Sequence, residues 1–279
     1  MIAFDFAYYK PETILEAFET YATENDQGKK VVYYAGGTEF ITFARVNKLD
    51  ANVVIDIKGI SECNVLEIKD GQLIIGSAVS LNKISDSNLF PLLGQTAKKI
   101  ADHTSRNKIS IGGNMNSRLM YRECLLPLLV VEANVVIFSK NETKIVPVAH
   151  LYNGTVKLTA GDFLVQIIIN TSMIDLPYVS FKRTKLSKVG YPVLSLAAIR
   201  TDSEKIRVAF SGICENPFRS KKIEKIINDT ALTIDERVEQ VATSLPIPVI
   251  SDIESSMEYR VFVLKNALSD MIAELELAK

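Results

Sequence analysis

The sequence predicts an α+β fold in two parts, with a boundary near Asp175, on three observations. Up to that boundary β-rich runs alternate with helical patterns. Two of the breaks fall on Gly-Gly pairs, in "YYAGGTEF" and in "KISIGGNMNS". Beyond it, three strand-like runs follow one another and then give way to helical patterns alone. The chain of 279 residues has room for one large or two modest domains with a sizeable core.

Within residues 1–59, "KPETILEAFETYA" reads as a helix, with Pro11 in its first turn and Ile14, Leu15, Phe18 and Tyr21 on one face. "KKVVYYA" is a strand running into Gly36 and Gly37, and "TEFITFARVN" is a helix with Thr38 as its N-cap. "NVVIDIKG" closes this first subdomain as a second strand. Residues 60–174 form a larger subdomain. It opens with a hairpin whose turn, Asp70-Gly71, supplies the positive φ values such turns need. "PLLGQTAKKIADHT" reads as one helix, "CLLPLLVVEA" as a buried helix, and "NVVIFS" and "DFLVQIIIN" as strands. In residues 175–279, "YVSFKRTK", "PVLSLAAIRT" and "KIRVAFSGI" predict a three-stranded antiparallel sheet. Helices follow over "RSKKIEKII", "IDERVEQVATSL" and "IESSMEYRVFVLKNALSDMIAEL".

The charge balance excludes several functions. With 32 basic and 33 acidic residues the net charge is −1, so no global field draws the chain to nucleic acid or an anionic membrane. No apolar run approaches the ~20 residues of a membrane span. The start, "MIAFDFAYYKPE", has neither a basic leader nor a long apolar segment, which predicts a cytoplasmic protein. Cys63, Cys124 and Cys214 lie far apart, and three thiols fall short of an iron–sulfur ligand set. With His103 and His150 as the only histidines, a metal site or a His-based triad is not expected. Redox chemistry here would need a bound cofactor.

The two glycine pairs are about seventy-five residues apart. Glycine lets backbone N–H groups approach a ligand without an intervening Cβ, and a following helix adds its positive dipole end. Such amide nests suit a pyrophosphate. Each pair is followed by side chains able to bond phosphate or ribose: Thr38 and Glu39, then Asn114 and Ser117. Neither is a Walker A loop, since no Lys-Ser/Thr closes it, and neither carries the third glycine of a dinucleotide-binding βαβ turn. Taken singly, either could be an ordinary tight turn.

The order "AGGTEF", "SIGGN", "YRECLLPLL", "FKR" and "GYP" resembles the FAD-binding subunit of the molybdenum hydroxylases, the xanthine dehydrogenase and carbon monoxide dehydrogenase group. The resemblance spans essentially the whole chain. It implies a two-subdomain flavin domain of the vanillyl-alcohol-oxidase (PCMH) type over residues 1–174 and the C-terminal domain of those subunits over 175–279. It also implies non-covalent FAD, held by Tyr33, Tyr34, Ala35, Gly36, Gly37, Thr38, Glu39 and Phe40 in a first loop and by Ser110, Ile111, Gly112, Gly113 and Asn114 in a second. Glu123, or its neighbour Arg122, matches an aspartate that contacts the flavin nucleotide, and Ile100 matches a position near the adenine. Leu164 and Lys182 match positions beside the isoalloxazine, and Tyr191 an aromatic that covers it. On the residues alone, Leu164 could equally be core, Lys182 a solvated strand edge and Tyr191 a seam residue. No catalytic side chain is implied.

The family's molybdopterin and [2Fe-2S] clusters would then lie in partner subunits, a large and a small one. This chain would pass electrons from the clusters to NAD+ or another acceptor. A self-contained flavin oxidoreductase and a non-catalytic nucleotide-binding assembly subunit are the competing readings.

Overall fold

The structure, a computed structural model, describes residues 2–153, 155–156, 158–186 and 189–278. Its first part is a parallel sheet of β1 (Ala7–Tyr9), β2 (Val31–Tyr34) and β3 (Val53–Asp56), ordered β1-β3-β2, with α1 (Ile14–Asp26) and α2 (Thr38–Arg45) as crossovers. The central strand β3 is "VVID" and buried throughout, as a parallel strand covered on both faces must be. The edge strand β1 exposes all three side chains, so it has no buried alternation to reveal it in the sequence. Helix α1 starts later than expected, because Thr13 takes the N-cap and Pro11 stays outside.

The second part is an antiparallel sheet of β4 (Leu66–Lys69), β5 (Gln72–Gly76), β6 (Asn134–Ser139), β7 (Glu142–Pro147) and β10 (Phe163–Asn170), in the order β4-β5-β10-β6-β7. Helices α3 (Leu81–Ser87), α4 (Pro91–Lys98), α5 (His103–Arg106), α6 (Ile111–Met115) and α7 (Leu125–Val130) fill the chain between β5 and β6. α8 (Val148–Leu151), β8 (Tyr152–Asn153) and β9 (Thr155–Val156) precede β10. The single helix expected over "PLLGQTAKKIADHT" is interrupted. Ala101 adopts φ +47°, and Asp102 caps α5 as a new turn. Leu92, Leu93, Leu125, Leu128, Val135 and Ile167 are among the residues of this part's core.

The third part is an antiparallel sheet of β11 (Tyr178–Thr184), β12 (Pro192–Arg200), β13 (Ile206–Ser211) and β14 (Phe218–Arg219), where three strands were expected. The fourth is a two-residue pairing, Phe218 with Phe210 and Arg219 with Ala209, too short to leave a periodic signal. Helices α9 (Lys221–Ile227), α10 (Ile234–Thr243) and α11 (Met257–Leu277) complete it. α11 lies on β11 and β12 and buries Leu264, Leu268, Met271 and Leu275. α4 and α7 of the second part also pack on this sheet, and Ala197, Ile199 and Ala209 join the second part's core. Arg260, fully buried, donates to the carbonyls of Val193 (2.8 Å) and Gly212 and pairs with Asp252 at 2.6 Å. It thereby ties the start of α11 to the sheet.

Candidate functional site

One cavity of about 930 Å³ lies where the three parts meet. Its first wall begins where β2 ends. Gly37 adopts φ +70° and serves as N-cap of α2, so Thr38, expected there, becomes the first helical residue. Among the described residues, the amide N–H groups of Gly36, Gly37, Thr38, Glu39 and Phe40 have no acceptor. A helix N-terminus with free amides and a positive dipole end is an anion site. The loop is fixed from below. The Lys58 ammonium donates to the Ala35 carbonyl at 2.7 Å, pairs with Asp56 at 2.7 Å and sits 4.5 Å from the centre of the Tyr34 ring. A Cβ on Gly36 would overlap the Lys108 carbonyl, so the two glycine segments touch through backbone.

The second wall is built differently from the expectation. Its glycines lie inside the short helix α6, capped by the Ser110 hydroxyl, rather than after a strand. Its amides are already engaged: Ile111 donates to the Val79 carbonyl at 2.9 Å, Gly112 to the Ser77 carbonyl at 2.9 Å, and Gly113 to Ser110 Oγ at 3.2 Å. Ile111 is buried core, and a Cβ on Gly112 would press on Ser77 at 2.8 Å. Neither residue lines the cavity. Gly113 does, and a Cβ there would meet only Ser110 Oγ, at 3.0 Å. The Asn114 Oδ1 accepts from the Cys124 amide at 3.0 Å, which leaves its NH₂ end for a ligand.

Glu39 joins the two walls. Its carboxylate accepts from Ser117 Oγ at 2.5 Å and from the Arg118 amide at 2.9 Å. This acidic side chain therefore latches the second loop to α2 and is not free for ribose, which the sequence pattern could not distinguish. Tyr33 turns its ring away, stacked on Tyr21 at 5.2 Å with its hydroxyl on the Gly161 carbonyl at 3.0 Å.

Glu123 and Lys182 lie deeper. The Lys182 ammonium, on β11, pairs with the Glu123 carboxylate at 2.9 Å and donates to the Lys99 carbonyl at 2.8 Å. Both side chains are 8% exposed. Burial pushes the Glu123 carboxyl up, and the ammonium beside it pulls it back down. Ser195 on β12 adds a 3.4 Å hydrogen bond to the same carboxylate. Lys182 is thus a seam cation with a partner, not a lone charge at a strand edge. The Lys99 ammonium bonds Ser180 across the same seam, and burial, then Arg183 and Lys182, hold it below the usual lysine range.

Tyr191 stacks on Tyr121 with centroids 4.9 Å apart and planes 16° from parallel. Tyr191 is half-exposed and Tyr121 buried, its phenol pushed up to about 12 by burial and by Asp252 and Glu254. Ile100 also lines the cavity; Leu164, expected beside the flavin ring, is 3% exposed in the second part's core and does not. Sequence reasoning missed Tyr121, which joins the lining from the segment between α6 and α7, and Lys185, Leu186, Val189 and Glu254, which join it from the segments after β11 and before α11. Only proximity in sequence, to Arg122 and Glu123 for Tyr121 and to Lys182 and Tyr191 for Lys185, Leu186 and Val189, could have drawn attention to the first four.

A cavity this large falls at the upper end of ligand pockets and suits a dinucleotide better than a metabolite. Free amides at one end, an apolar and aromatic mouth and a charged floor fit a flavin dinucleotide. Residues 4–171 match the family model described as the FAD binding domain in molybdopterin dehydrogenase. The chain is 24% identical over 278 residues to the glyceraldehyde dehydrogenase medium chain of Sulfolobus acidocaldarius, covering 94% of this chain and 95% of that one. In structure it is similar to carbon monoxide dehydrogenase from Hydrogenophaga pseudoflava, with a TM-score of 0.87, 21% identity and 99% of each chain covered. Quinoline 2-oxidoreductase from Pseudomonas putida gives a TM-score of 0.86 at 19% identity over 99% of this chain and 98% of that one. The chain belongs to the family of FAD-binding domains of molybdopterin dehydrogenases, and FAD is its cofactor.

Proposed function

We propose that this chain is the electron-exit subunit of a molybdenum hydroxylase. It takes electrons from a small [2Fe-2S] partner and passes them to NAD+ or another acceptor, while a large molybdopterin partner oxidises the substrate. The observation that carries this reading is the cavity at the junction of three parts, lined by an unused amide nest and by the stacked Tyr121 and Tyr191. The names of relatives support it: a glyceraldehyde dehydrogenase medium chain, a nicotinate dehydrogenase FAD-subunit and a carbon monoxide dehydrogenase medium chain. FAD supplies the reversible acceptance of electrons singly or in pairs.

The chain's own groups bind, orient and shield. The amides of Gly36, Gly37, Thr38, Glu39 and Phe40 receive the pyrophosphate, and Gly113 and Asn114 face it across the cavity. Tyr191, backed by Tyr121, limits access of water and acceptor. Glu123 and Lys182 set the local field. Residues 175–279 act as the C-terminal domain of the medium chain, supplying Lys182 and Tyr191. No helix among the described residues is long and apolar enough to cross a membrane. Cys63, Cys124 and Cys214 are free and buried, which suits a reducing cytoplasm.

Metal analysis tests the division of labour. Among the described residues no cluster of His, Cys, Asp or Glu could hold a metal ion. The isolated chain should therefore contain FAD without stoichiometric iron or molybdenum, and should bind a [2Fe-2S] small subunit stably. Stoichiometric iron in the isolated chain would overturn the proposal.

A further inference from the structure

Arg122 lines the cavity and is half-buried. Its backbone adopts φ +38°, a left-handed conformation that costs a non-glycine residue about 1–3 kcal/mol and persists where the surroundings enforce it. The Nε donates to the Ser117 carbonyl at 2.7 Å, which fixes the plane of the guanidinium. Among the described residues the guanidinium has no carboxylate partner and no other hydrogen bond. It is an oriented cation whose two Nη groups have no acceptor among the described residues.

Its position follows from the contacts already described. Ser117 bridges the walls: its hydroxyl bonds Glu39, the second residue of α2, and its carbonyl holds Arg122. Arg122 is therefore linked to α2 through Ser117 and the Glu39 side chain, and it lines the same cavity as the free amides at the start of that helix. On its own wall the amides of Ile111, Gly112 and Gly113 are consumed internally, so donors for an anion must come from side chains. Planar guanidinium groups held by one nitrogen present the other two to phosphate oxygens.

We infer that Arg122 is the second wall's phosphate ligand. It takes the place of the amides that the second glycine pair keeps for itself, and it makes the site selective for a flavin carrying a diphosphate. This rests on the flavin reading of the cavity. Arg118, exposed and bonded to Glu39 through its backbone, contributes a screened charge only.

The test is equilibrium binding of FAD and of riboflavin to the deflavinated chain, followed by flavin fluorescence at two salt concentrations. Arg122→Met should weaken FAD roughly tenfold or more at low salt and flatten its salt dependence, with riboflavin unchanged. Arg122→Lys should recover part of the loss, and Arg118→Met should change either ligand by less than about threefold. Unchanged FAD affinity in Arg122→Met, or equal weakening of FAD and riboflavin, would overturn the inference alone. A wild-type chain that binds neither ligand would overturn the flavin reading and the inference with it.

Discussion

Replacing Lys182 by methionine will destabilise the chain by about 3–5 kcal/mol at neutral pH, because it strands a buried carboxylate rather than removing a surface charge. Lys182 and Glu123 are each 8% exposed and 2.9 Å apart, and only a 3.4 Å bond from Ser195 would remain to the acid. Burial already pushes the Glu123 carboxyl up, and removing the ammonium that opposes this will push it further up. The sign of the pH dependence follows. A carboxyl raised in the folded state is fully tolerated below its unfolded value, and stability is lost as pH rises and the unfolded chain ionises. The Lys182→Met chain should therefore lose stability between the ordinary glutamate range and neutrality, with a Tm lower by roughly 10 °C at pH 7. Lys182→Met with Glu123→Gln should recover most of it. Calorimetry showing no loss in the single variant would mean that the pair is not formed. Because Glu123 balances the lysine, the flavin midpoint potential should move less than a free cation at that position would predict.

The second large effect is on cofactor binding. Gly113→Val will place a branched side chain in open cavity, where a Cβ has only Ser110 Oγ within reach, at 3.0 Å. The fold accepts it with a small shift of the Ser110 hydroxyl, and FAD meets the added methyl groups. A pyrophosphate pushed off the first wall's amides loses two or three charged hydrogen bonds, each worth roughly 1.5–3 kcal/mol, which weakens FAD by about a hundredfold or more. Gly37→Val is a different experiment. Gly37 has φ +70° and a Cβ there would overlap the Tyr34 ring, so the turn itself should fail. Gly36→Val would part the two loops at Lys108. Flavin content and thermal stability together separate these cases. Gly113→Val protein with full flavin content would show that the cavity faces another way.

Much of the fold was legible because its signals are local. The helices α1 and α11, the Asp70-Gly71 turn and the runs at β6, β10, β12 and β13 lie over the segments that the sequence marked, although α1 starts later and leaves Leu15 of its expected apolar face exposed. The edge strands β1, β7 and β14 were missed: β1 exposes all its side chains and β14 is only two residues long. In the site, both glycine segments come together, but for unequal reasons. Gly37 meets a backbone requirement, Gly36 and Gly112 allow close chain approach, and Gly113 alone simply opens space. A sequence shows that glycine is present, not which neighbour excludes a side chain. The same limit hid the roles of Glu39 and Lys182, whose partners, Ser117 and Glu123, lie 78 and 59 positions away. Leu164 faces the core and not the cavity, and a strand residue in either place has the same sequence pattern.

The most direct test of the central claim is to measure what the purified chain releases on acid precipitation, after incubation with excess FAD and gel filtration. The expected result is a yellow protein whose flavin passes entirely into the supernatant and has the mass of FAD, in stoichiometric amount. A chain that emerges with no flavin would contradict it, and flavin retained in the pellet would contradict non-covalent binding.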